Sequence, residues 1–310
     1  MLPVTPMRVH NHHDSAVVVG SDGELIGLDK GGRVANILRP MSNPISSSIL
    51  LDGHLIASWN FYDDVSSCMG LIPQDFFVDF GNTSELGCES GVDGGPAGAT
   101  WWRKVEGNVE SVGGAGGRFI FALSGQGIYS MSLKIDEDVT IIDESWRTHY
   151  PALTLSSGPE IRDRIASILI TESGVLAISE GGEWILLSAE EGIELDRGFL
   201  DLRDPVYRAV YSSKLGTMVM TRGKEIILMD GNREIIQRIR RIPGPVLDAY
   251  ADNGGWKWTG WRHDGSFRSG ELLIRMRPEI GIGMFGGDKC ICNDGSIEQW
   301  GGYSSESEVV

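Results

Sequence analysis

The chain has 310 residues and is 41% hydrophobic, which is enough apolar material for one large all-β domain or two smaller domains. Its formal net charge of −16 repels polyanions, so the composition excludes bulk electrostatic binding to DNA, RNA or anionic lipid. The segment "MLPVTPMRVHNHHD" lacks a cationic stretch followed by an apolar run, and no segment reaches about 18 uninterrupted apolar residues. We therefore expect an acidic, soluble, cytoplasmic protein with no membrane association.

A three-strand pattern recurs along the chain. The segment "SAVVVGSDGELIGLDKGGRVANIL" contains three apolar runs separated by Gly/Asp turns, which predicts a meander of short strands. The pattern returns in "SSSILLDGHLIASWNFYDDVSSCM", "RFIFALSGQGIYSMSLKIDEDVTIID", "GVLAISEGGEWILLSAEEGIELD", "GTMVMTRGKEIILMDGNREIIQRI" and "GMFGGDKCICNDGSIEQW". Further candidate strands precede several units, as in "MRVHN", "ASILIT" and "VYRAVYSS". "VLDAYA" begins another unit, whose remainder is irregular in sequence.

Four strands in a unit of roughly 40 residues are typical of a β-propeller blade. Dividing the chain by this period predicts an all-β propeller of about seven four-stranded blades, and uneven spacing leaves six or eight open. We predict one propeller domain over residues 1–303, with an irregular insertion at about 81–100. Residues 304–310 are predicted to form an acidic flexible tail.

Three units carry a family resemblance. The segments "SDGELIGLDKGGRV", "GGEWILLSAEEGIEL" and "RGKEIILMDGNREII" resemble blades of the quinoprotein-like and WD-type propeller superfamily. The resemblance extends over most of the chain and implies the propeller fold. The Gly-His and Trp-Asp pairs of WD-type repeats do not recur, since "LDGHLI" holds the only Gly-His. Quinone-dependent members use calcium and an adjacent cysteine pair, and the chain has no such pair, so we expect no cofactor of that kind.

The stretch "RVHNHHDS" places three imidazoles and a carboxylate close together, at His10, His12, His13 and Asp14. If "MRVHN" is an innermost strand, the histidines lie in the turn that follows it, at one rim of the propeller. We interpret the stretch as a polar turn in which Asn11 and Asp14 satisfy backbone amides. A site for a divalent transition metal such as zinc, copper or nickel is the alternative, and no other cofactor is predicted.

Two tryptophan-rich segments interrupt the repeat. "ATWWRK" follows the glycine-rich insertion, and "GGWKWTGWRHDG" is the second such segment. Tryptophan together with arginine is enriched at the centres of protein interfaces, whereas rings packed between blades are the alternative. We predict that the two segments flank a partner surface at the rim. The candidate contact residues are Trp101, Trp102, Arg103, Trp256, Trp258, Trp261 and Arg262.

Two other patterns favour structural roles. Cys290 and Cys292 alternate along a predicted strand, and we interpret them as small buried residues rather than a redox or metal pair. Arg238 and Arg240 lie in the basic run "IIQRIRRIPGP", which we interpret as a solvated strand edge.

No nucleophile motif such as Gly-x-Ser-x-Gly or His-Glu-x-x-His is present, and we nominate no catalytic residue. The chain is therefore predicted to be a non-catalytic scaffold, an interaction platform for a protein partner in a soluble complex. The alternative is a propeller enzyme of hydrolase or lyase type, with a metal or carboxylate site at the axial channel. That enzyme would need titratable residues on innermost strands of different blades, and the sequence does not identify such a set. No oligomeric state is predicted.

Overall fold

A computed structural model describes six ranges of the chain: 1–12, 15–73, 94–136, 139–154, 163–252 and 254–302. Their strands form seven antiparallel sheets, and each sheet is built from strands that are consecutive in the chain. Within these ranges no helix is long and apolar enough to cross a membrane. The acidic tail and most of the glycine-rich insertion lie outside the described residues.

The first four sheets, blades 1 to 4, each contain four strands that pair in chain order. The strands of blades 1 and 2 are β1 (Pro6–His12), β2 (Ser15–Gly20), β3 (Leu25–Leu28), β4 (Val34–Leu38), β5 (Ser47–Leu51), β6 (His54–Phe61), β7 (Ser66–Pro73) and β8 (Trp101–Glu106). Those of blades 3 and 4 are β9 (Val109–Ala115), β10 (Arg118–Leu123), β11 (Gly127–Asp136), β12 (Val139–His149), β13 (Ile165–Thr171), β14 (Gly174–Ser179), β15 (Glu183–Leu187) and β16 (Glu194–Phe199).

Blades 5 and 6 also have four strands, and blade 7 has three within the described residues. These strands are β17 (Val206–Ser212), β18 (Gly216–Thr221), β19 (Ile226–Met229), β20 (Ile235–Ile239), β21 (Val246–Asp252), β22 (Gly255–Gly260), β23 (His263–Arg268), β24 (Glu271–Met276), β25 (Gly281–Phe285), β26 (Lys289–Cys292) and β27 (Ile297–Gln299). The prediction of an all-β, seven-bladed propeller is confirmed, and the alternatives of six or eight blades are excluded.

The first strand of every blade lies at the centre of the molecule. Strands β1, β5, β9, β13, β17, β21 and β25 contact one another in that order, and β25 contacts β1, so they form a closed ring. Because neighbouring strands are antiparallel, the connections between second and third strands all lie on one face of the propeller. The connections between first and second strands, and between third and fourth strands, lie on the opposite face.

Local sequence explains the inner strands well. The second strands β2, β14 and β18 are almost entirely buried, which is why they appear in the sequence as continuous apolar runs. Tight hairpins connect first and second strands where the sequence has turn-forming residues. Asp52 and Gly53, for example, both have positive φ, as a two-residue type I′ turn requires.

The sequence of the unit that begins with "VLDAYA" suggested an irregular structure, but the unit is regular. It forms the complete four-stranded blade 6, in which β22 carries Trp256, Lys257 and Trp258 with glycine at both ends. A central strand depends on how its side chains pack against the neighbouring sheets more than on intrinsic β-propensity. Trp256 and Trp258 supply that packing although neither is β-branched.

Six hydrophobic clusters fill the spaces between adjoining blades, from blades 1 and 2 round to blades 5 and 6, and again between blades 7 and 1. Between blades 6 and 7 a polar network takes this position. The buried guanidinium of Arg277 donates to Asp264 Oδ1 at 3.0 Å, Glu298 Oε2 at 2.8 Å and Cys292 Sγ at 3.2 Å. Cys290 and Cys292 are both buried free thiols at this interface.

Blades 7 and 1 close the ring through contacts of the N-terminal strand and the residues before it. Asn11 Nδ2 donates to Met284 O at 2.6 Å, and its Oδ1 accepts from Gly286 N at 3.2 Å. Leu2 N donates to Gly295 O at 2.7 Å, and the Leu2 side chain joins the core cluster that blades 7 and 1 share. The two ends of the described chain are thus connected by backbone and side-chain contacts.

Candidate functional site

The innermost strands share one equivalent position near their beginnings. In six of them the pairing with the second strand skips one residue, and the residue after the skip occupies this position. In blade 2 the equivalent residue is identified by the hydrogen bond that it accepts from the next blade. We call this set the axial ring, and its members are Arg8, Ser47, Ser111, Ser167, Arg208, Asp248 and Gly283.

The axial ring connects neighbouring blades. In blades 2, 4 and 6 its side chain accepts a hydrogen bond from the backbone N–H one residue beyond the ring position of the next blade. These bonds are Val112 N to Ser47 Oγ (3.0 Å), Ala209 N to Ser167 Oγ (2.8 Å) and Met284 N to Asp248 Oδ2 (2.9 Å). Short acceptor side chains at this position therefore satisfy backbone donors that would otherwise face the channel unpaired.

Arginine occupies the axial ring in blades 1 and 5. A guanidinium has only donors, so it cannot accept the interblade hydrogen bond. Arg8 Nη1 instead donates to Ser48 O at 3.2 Å, and Arg208 Nη1 donates to Asp248 Oδ1 at 2.9 Å. The two arginines thus introduce positive charge at positions where other blades have small or acidic side chains.

Both arginines line a cavity of about 380 Å³ on the propeller axis. Residues from β1, β5, β9, β13 and β17 line it together, and only the central channel can be shared by the first strands of five blades. Its polar lining includes His10, Tyr207 and Glu110 beside the two arginines. This is a convergent set of titratable groups on innermost strands of different blades, which sequence reasoning did not find.

Burial and like charge dominate the electrostatics of this cavity. Burial and the charge of Arg208 lower the pKa of Arg8 to about 10, against the opposing effects of Tyr207 and Asp248. The same burial, with Arg8 and Arg208, holds the pKa of His10 well below its usual value, so His10 is uncharged at neutral pH. Burial also raises the pKa of Asp248, although Arg208 opposes that change.

Glu110 is engaged elsewhere in the lining. Its Oε2 accepts from Tyr150 Oη at 2.6 Å and from Ile165 N at 2.9 Å, which joins blades 3 and 4. Its charge acts on Arg164, whose pKa is raised chiefly by Glu180 and in part by Glu110. Asp248 is the carboxylate that acts on both guanidinium groups, since it pairs with Arg208 at 2.9 Å and its charge opposes the lowering of the pKa of Arg8.

The histidine-rich stretch is only partly described. His10 and His12 belong to β1, so the prediction that the histidines lie in the turn after this strand is wrong for these two. His10 is buried beside the channel with Nε2 2.8 Å from Ser48 Oγ, and the strand ends at His12, one residue beyond the predicted "MRVHN". His13 and Asp14 lie outside the described residues. Among the residues that the structure does describe, no group of three or more His, Cys, Asp or Glu side chains could hold a metal ion.

Trp101, Trp102 and Arg103 begin β8, the outermost strand of blade 2. Trp101 is half-buried and packs edge-to-face against Phe119, with ring centroids 6.3 Å apart. Trp102 lies on the other side of the strand and is 38% exposed. Its indole covers Gly95, where an added Cβ would lie 2.5 Å from the ring. Arg103 is exposed.

The second tryptophan segment divides into core and surface. Trp256 and Trp258 are 3% and 0% exposed in β22, so the alternative of rings packed between blades applies to them. Trp261 and Arg262 form the turn between β22 and β23, and Trp261 is 52% exposed. This turn lies on the face opposite to the beginning of β8, and blades 2 and 6 are not adjacent. The structure does not bring the two tryptophan segments together.

Buried acid–arginine pairs recur near the turn between second and third strands. In blades 4, 5 and 6 a carboxylate near the beginning of the third strand forms an ion pair with an arginine. The arginine lies on the fourth strand or directly after it. The pairs are Glu183 with Arg197 (2.6 Å), Glu225 with Arg238 (3.2 Å) and Arg240 (2.8 Å), and Asp264 with Arg277 (3.0 Å). Arg238 and Arg240 therefore bind a buried carboxylate. They do so from β20 and the residue directly after it, at the largely exposed edge strand of blade 5, where Arg240 remains 43% exposed.

The comparisons with known proteins agree on the fold. No protein family model and no curated protein sequence matches the chain. The β-propeller domain of Cps50 (Swd1) from Myceliophteria thermophila is similar, with a TM-score of 0.63, 12% identity, and 97% of this chain and 98% of that chain covered. The computationally designed Ika8 protein is similar with a TM-score of 0.59, 8% identity and 96% of both chains covered. Identities this low show the fold alone, and the fold-level resemblance to propeller proteins is confirmed.

Proposed function

We propose that this protein is a non-catalytic β-propeller that serves as an interaction platform for a protein partner in a soluble cytoplasmic complex. The observation that supports this proposal best is the exposed tryptophan of blade 6. Trp261, Arg262 and Met276 form a surface that we call the blade 6 corner. Trp261 is 52% exposed and Met276 is 45% exposed, and Met276 pairs with His263 directly after the turn that holds Trp261 and Arg262.

The turn that presents Trp261 is held rigidly. Trp261 N donates to Pro245 O at 2.9 Å, and Arg277 N donates to Arg262 O at 3.0 Å. The imidazole of His263 lies with Nδ1 3.0 Å from Trp261 O. These contacts fix the backbone of the turn. A fixed backbone loses little conformational entropy on binding, so more of the contact energy of Trp261 is available as affinity.

The backbone of this turn also adopts a conformation that costs energy. Arg262 has a positive φ of 55°, which is uncommon for a residue with a long side chain. Gly244 leaves room for the indole, since a Cβ there would lie 2.6 Å from the Trp261 Cβ. The surrounding structure therefore keeps a large apolar ring at the surface beside a guanidinium. This composition fits a polypeptide partner that offers an apolar side chain and a carboxylate.

The test replaces Trp261 with alanine and measures thermal unfolding and recovery of partners from a native extract. We expect Trp261→Ala to lose a partner that the wild type retains, and to lower the free energy of unfolding by less than about 3 kcal/mol, because only about half of the ring is buried. Tyr62→Ala is the matched control, since Tyr62 is a 77% exposed aromatic residue in the equivalent turn of blade 2. It is expected to keep the partner.

Trp258→Ala provides the contrasting core variant. Removing this fully buried ring is expected to cost about 3 to 5 kcal/mol of stability. If Trp261→Ala lowers stability by a similar amount, its ring is a structural element and not a contact. If Trp261→Ala keeps every partner that the wild type recovers, the assignment of the blade 6 corner fails.

A further inference from the structure

The axial ring has two members that do not perform its structural role. Ser47, Ser167 and Asp248 accept the interblade hydrogen bond, whereas Arg8 and Arg208 cannot. Within the described residues each of the two guanidinium groups makes one hydrogen bond, to Ser48 O and to Asp248 Oδ1 respectively. Most of their donors are therefore without a protein partner there, although both side chains line the axial cavity.

The two arginines of the cavity also differ in their ion pairing. Arg208 is paired with Asp248, and Arg8 has no ion pair among the residues that the structure describes. His10 contributes no charge at neutral pH. Glu110 is held by Tyr150 and Ile165 and is not among the charges that act on Arg8. An uncompensated cation in a partly dehydrated channel is costly unless a counter-charge is present. The unpaired positive charge of Arg8 contrasts with the net charge of −16 on the whole chain.

We propose that the axial cavity binds a small organic anion, whose carboxylate or phosphate group contacts the guanidinium groups of Arg8 and Arg208. The planar fork of a guanidinium matches the oxygens of either group and forms short charge-assisted hydrogen bonds with them. The cavity of about 380 Å³ lies within the range of small-molecule pockets, so it accommodates a body beyond the anionic group. Ile49 and Val210 supply apolar lining for that body.

Neighbouring side chains hold the two arginines in place. Asp248 fixes Arg208, and it is itself fixed by the N–H of Met284. Ser48 accepts from Arg8 through its carbonyl, and its hydroxyl lies 2.8 Å from His10 Nε2. Asp248 and His10 are therefore positioning residues. This preorganisation lowers the entropy that ligand binding would otherwise cost.

Calorimetric titration of the full chain with inorganic phosphate and with malonate tests the proposal. Both titrations are run at millimolar probe concentration and constant ionic strength, so that general salt effects on the surface are equal. We expect saturable binding of at least one probe to the wild type. Arg8→Gln should weaken it about tenfold or more, because a charged hydrogen bond contributes roughly 1.5 to 3 kcal/mol.

Arg33→Gln is the matched control, because it removes the same charge from an exposed arginine of blade 1 whose side chain is 82% exposed. It should bind as the wild type does. Arg208→Lys keeps the charge beside Asp248 but loses the fork, and it should also weaken binding, which provides a second test if Arg8→Gln does not fold. Binding of phosphate alone or malonate alone assigns the anionic group. No saturable binding of either probe, or equal weakening by Arg8→Gln and Arg33→Gln, overturns the proposal.

Discussion

Arginine carboxylate contacts occur in two regions of this propeller, and they differ in how completely the charges are matched. Near the turns between second and third strands of blades 4 and 6, a buried carboxylate has its own arginine, as Glu183 has Arg197 and Asp264 has Arg277, while in blade 5 Glu225 has two. In the axial ring, Arg8 and Arg208 have one carboxylate between them, Asp248. The outer pairs are structural contacts within a blade, whereas the axial pair leaves donors available to a ligand.

The difference teaches that burial alone does not distinguish a structural arginine from a functional one. Arg277 is 1% exposed, yet Asp264, Glu298 and Cys292 accept hydrogen bonds from both of its Nη atoms. Arg8 is less buried and makes one hydrogen bond, to a carbonyl. A buried ion pair is costly to break because its partner remains as an unpaired charge, while an unmatched cation destabilises the free protein. The two regions should therefore respond in opposite directions to loss of the arginine.

The largest effect is expected at the interface of blades 6 and 7. Arg277→Leu should destabilise the protein by about 3 to 5 kcal/mol, because Asp264 is then left buried without its cation. Urea unfolding measures the change. Arg33→Leu removes an exposed arginine and should change stability by less than about 1 kcal/mol. A loss below about 1 kcal/mol for Arg277→Leu would show that the matched network does not stabilise this interface.

A pH dependence should follow from His10. Its folded-state pKa lies below the unfolded value, so at acidic pH the unfolded chain binds the proton more readily than the folded one. The contribution of neutral His10 to the free energy of unfolding is fully present above pH about 6.5. It decreases as the pH falls below that value, by at most about 1.4 kcal/mol per pH unit. Unfolding curves at pH 7 and pH 5 measure the slope, and His10→Gln should reduce it. An equal slope in both proteins would contradict the assignment.

The smallest change in stability is expected in the axial ring itself. Arg8→Met removes an unmatched cation and one hydrogen bond, so stability without ligand should stay within about 1 kcal/mol of wild type or rise. Arg8→Met should also raise the pKa of His10, because Arg8 is one of the two charges that lower it. Proton NMR titration of the imidazole detects that shift. A destabilisation comparable to that of Arg277→Leu would mean that the two regions do not differ.

Much of the fold was predictable because blade repeats alternate apolar runs with glycine turns. The second strands β2, β14 and β18 are buried on both faces, so their sequences are recognisable as continuous apolar runs. Blade 6 was harder to recognise, since its second strand "GWKWTG" is built from glycine and tryptophan. Packing against adjoining blades forms that strand, and packing is a property of the neighbours as well as of the strand.

The candidate sites depended on tertiary structure to a greater extent. Trp258 and Trp261 lie three residues apart in one segment, yet one is fully buried and the other is 52% exposed, because a turn begins between them. The histidines of "RVHNHHDS" were the candidate residues in the sequence, whereas Arg8 of the same stretch was not a candidate. An arginine in a short strand carries no signal of its own that it will meet another from a distant blade.

By itself the sequence determined the all-β class, the blade repeat and a count of about seven blades, because these follow from local periodicity and turn chemistry that each unit carries independently. Only the tertiary structure decided which polar residues meet on the axis. Arg8 and Arg208 are 200 residues apart in numbering, and ring closure places them at one cavity. Packing of blade 7 against blade 6 places the thiols of Cys290 and Cys292 against Arg277, and the turn after β22 leaves Trp261 at the surface. These outcomes depend on how seven separate sheets pack around one axis, which no single repeat specifies.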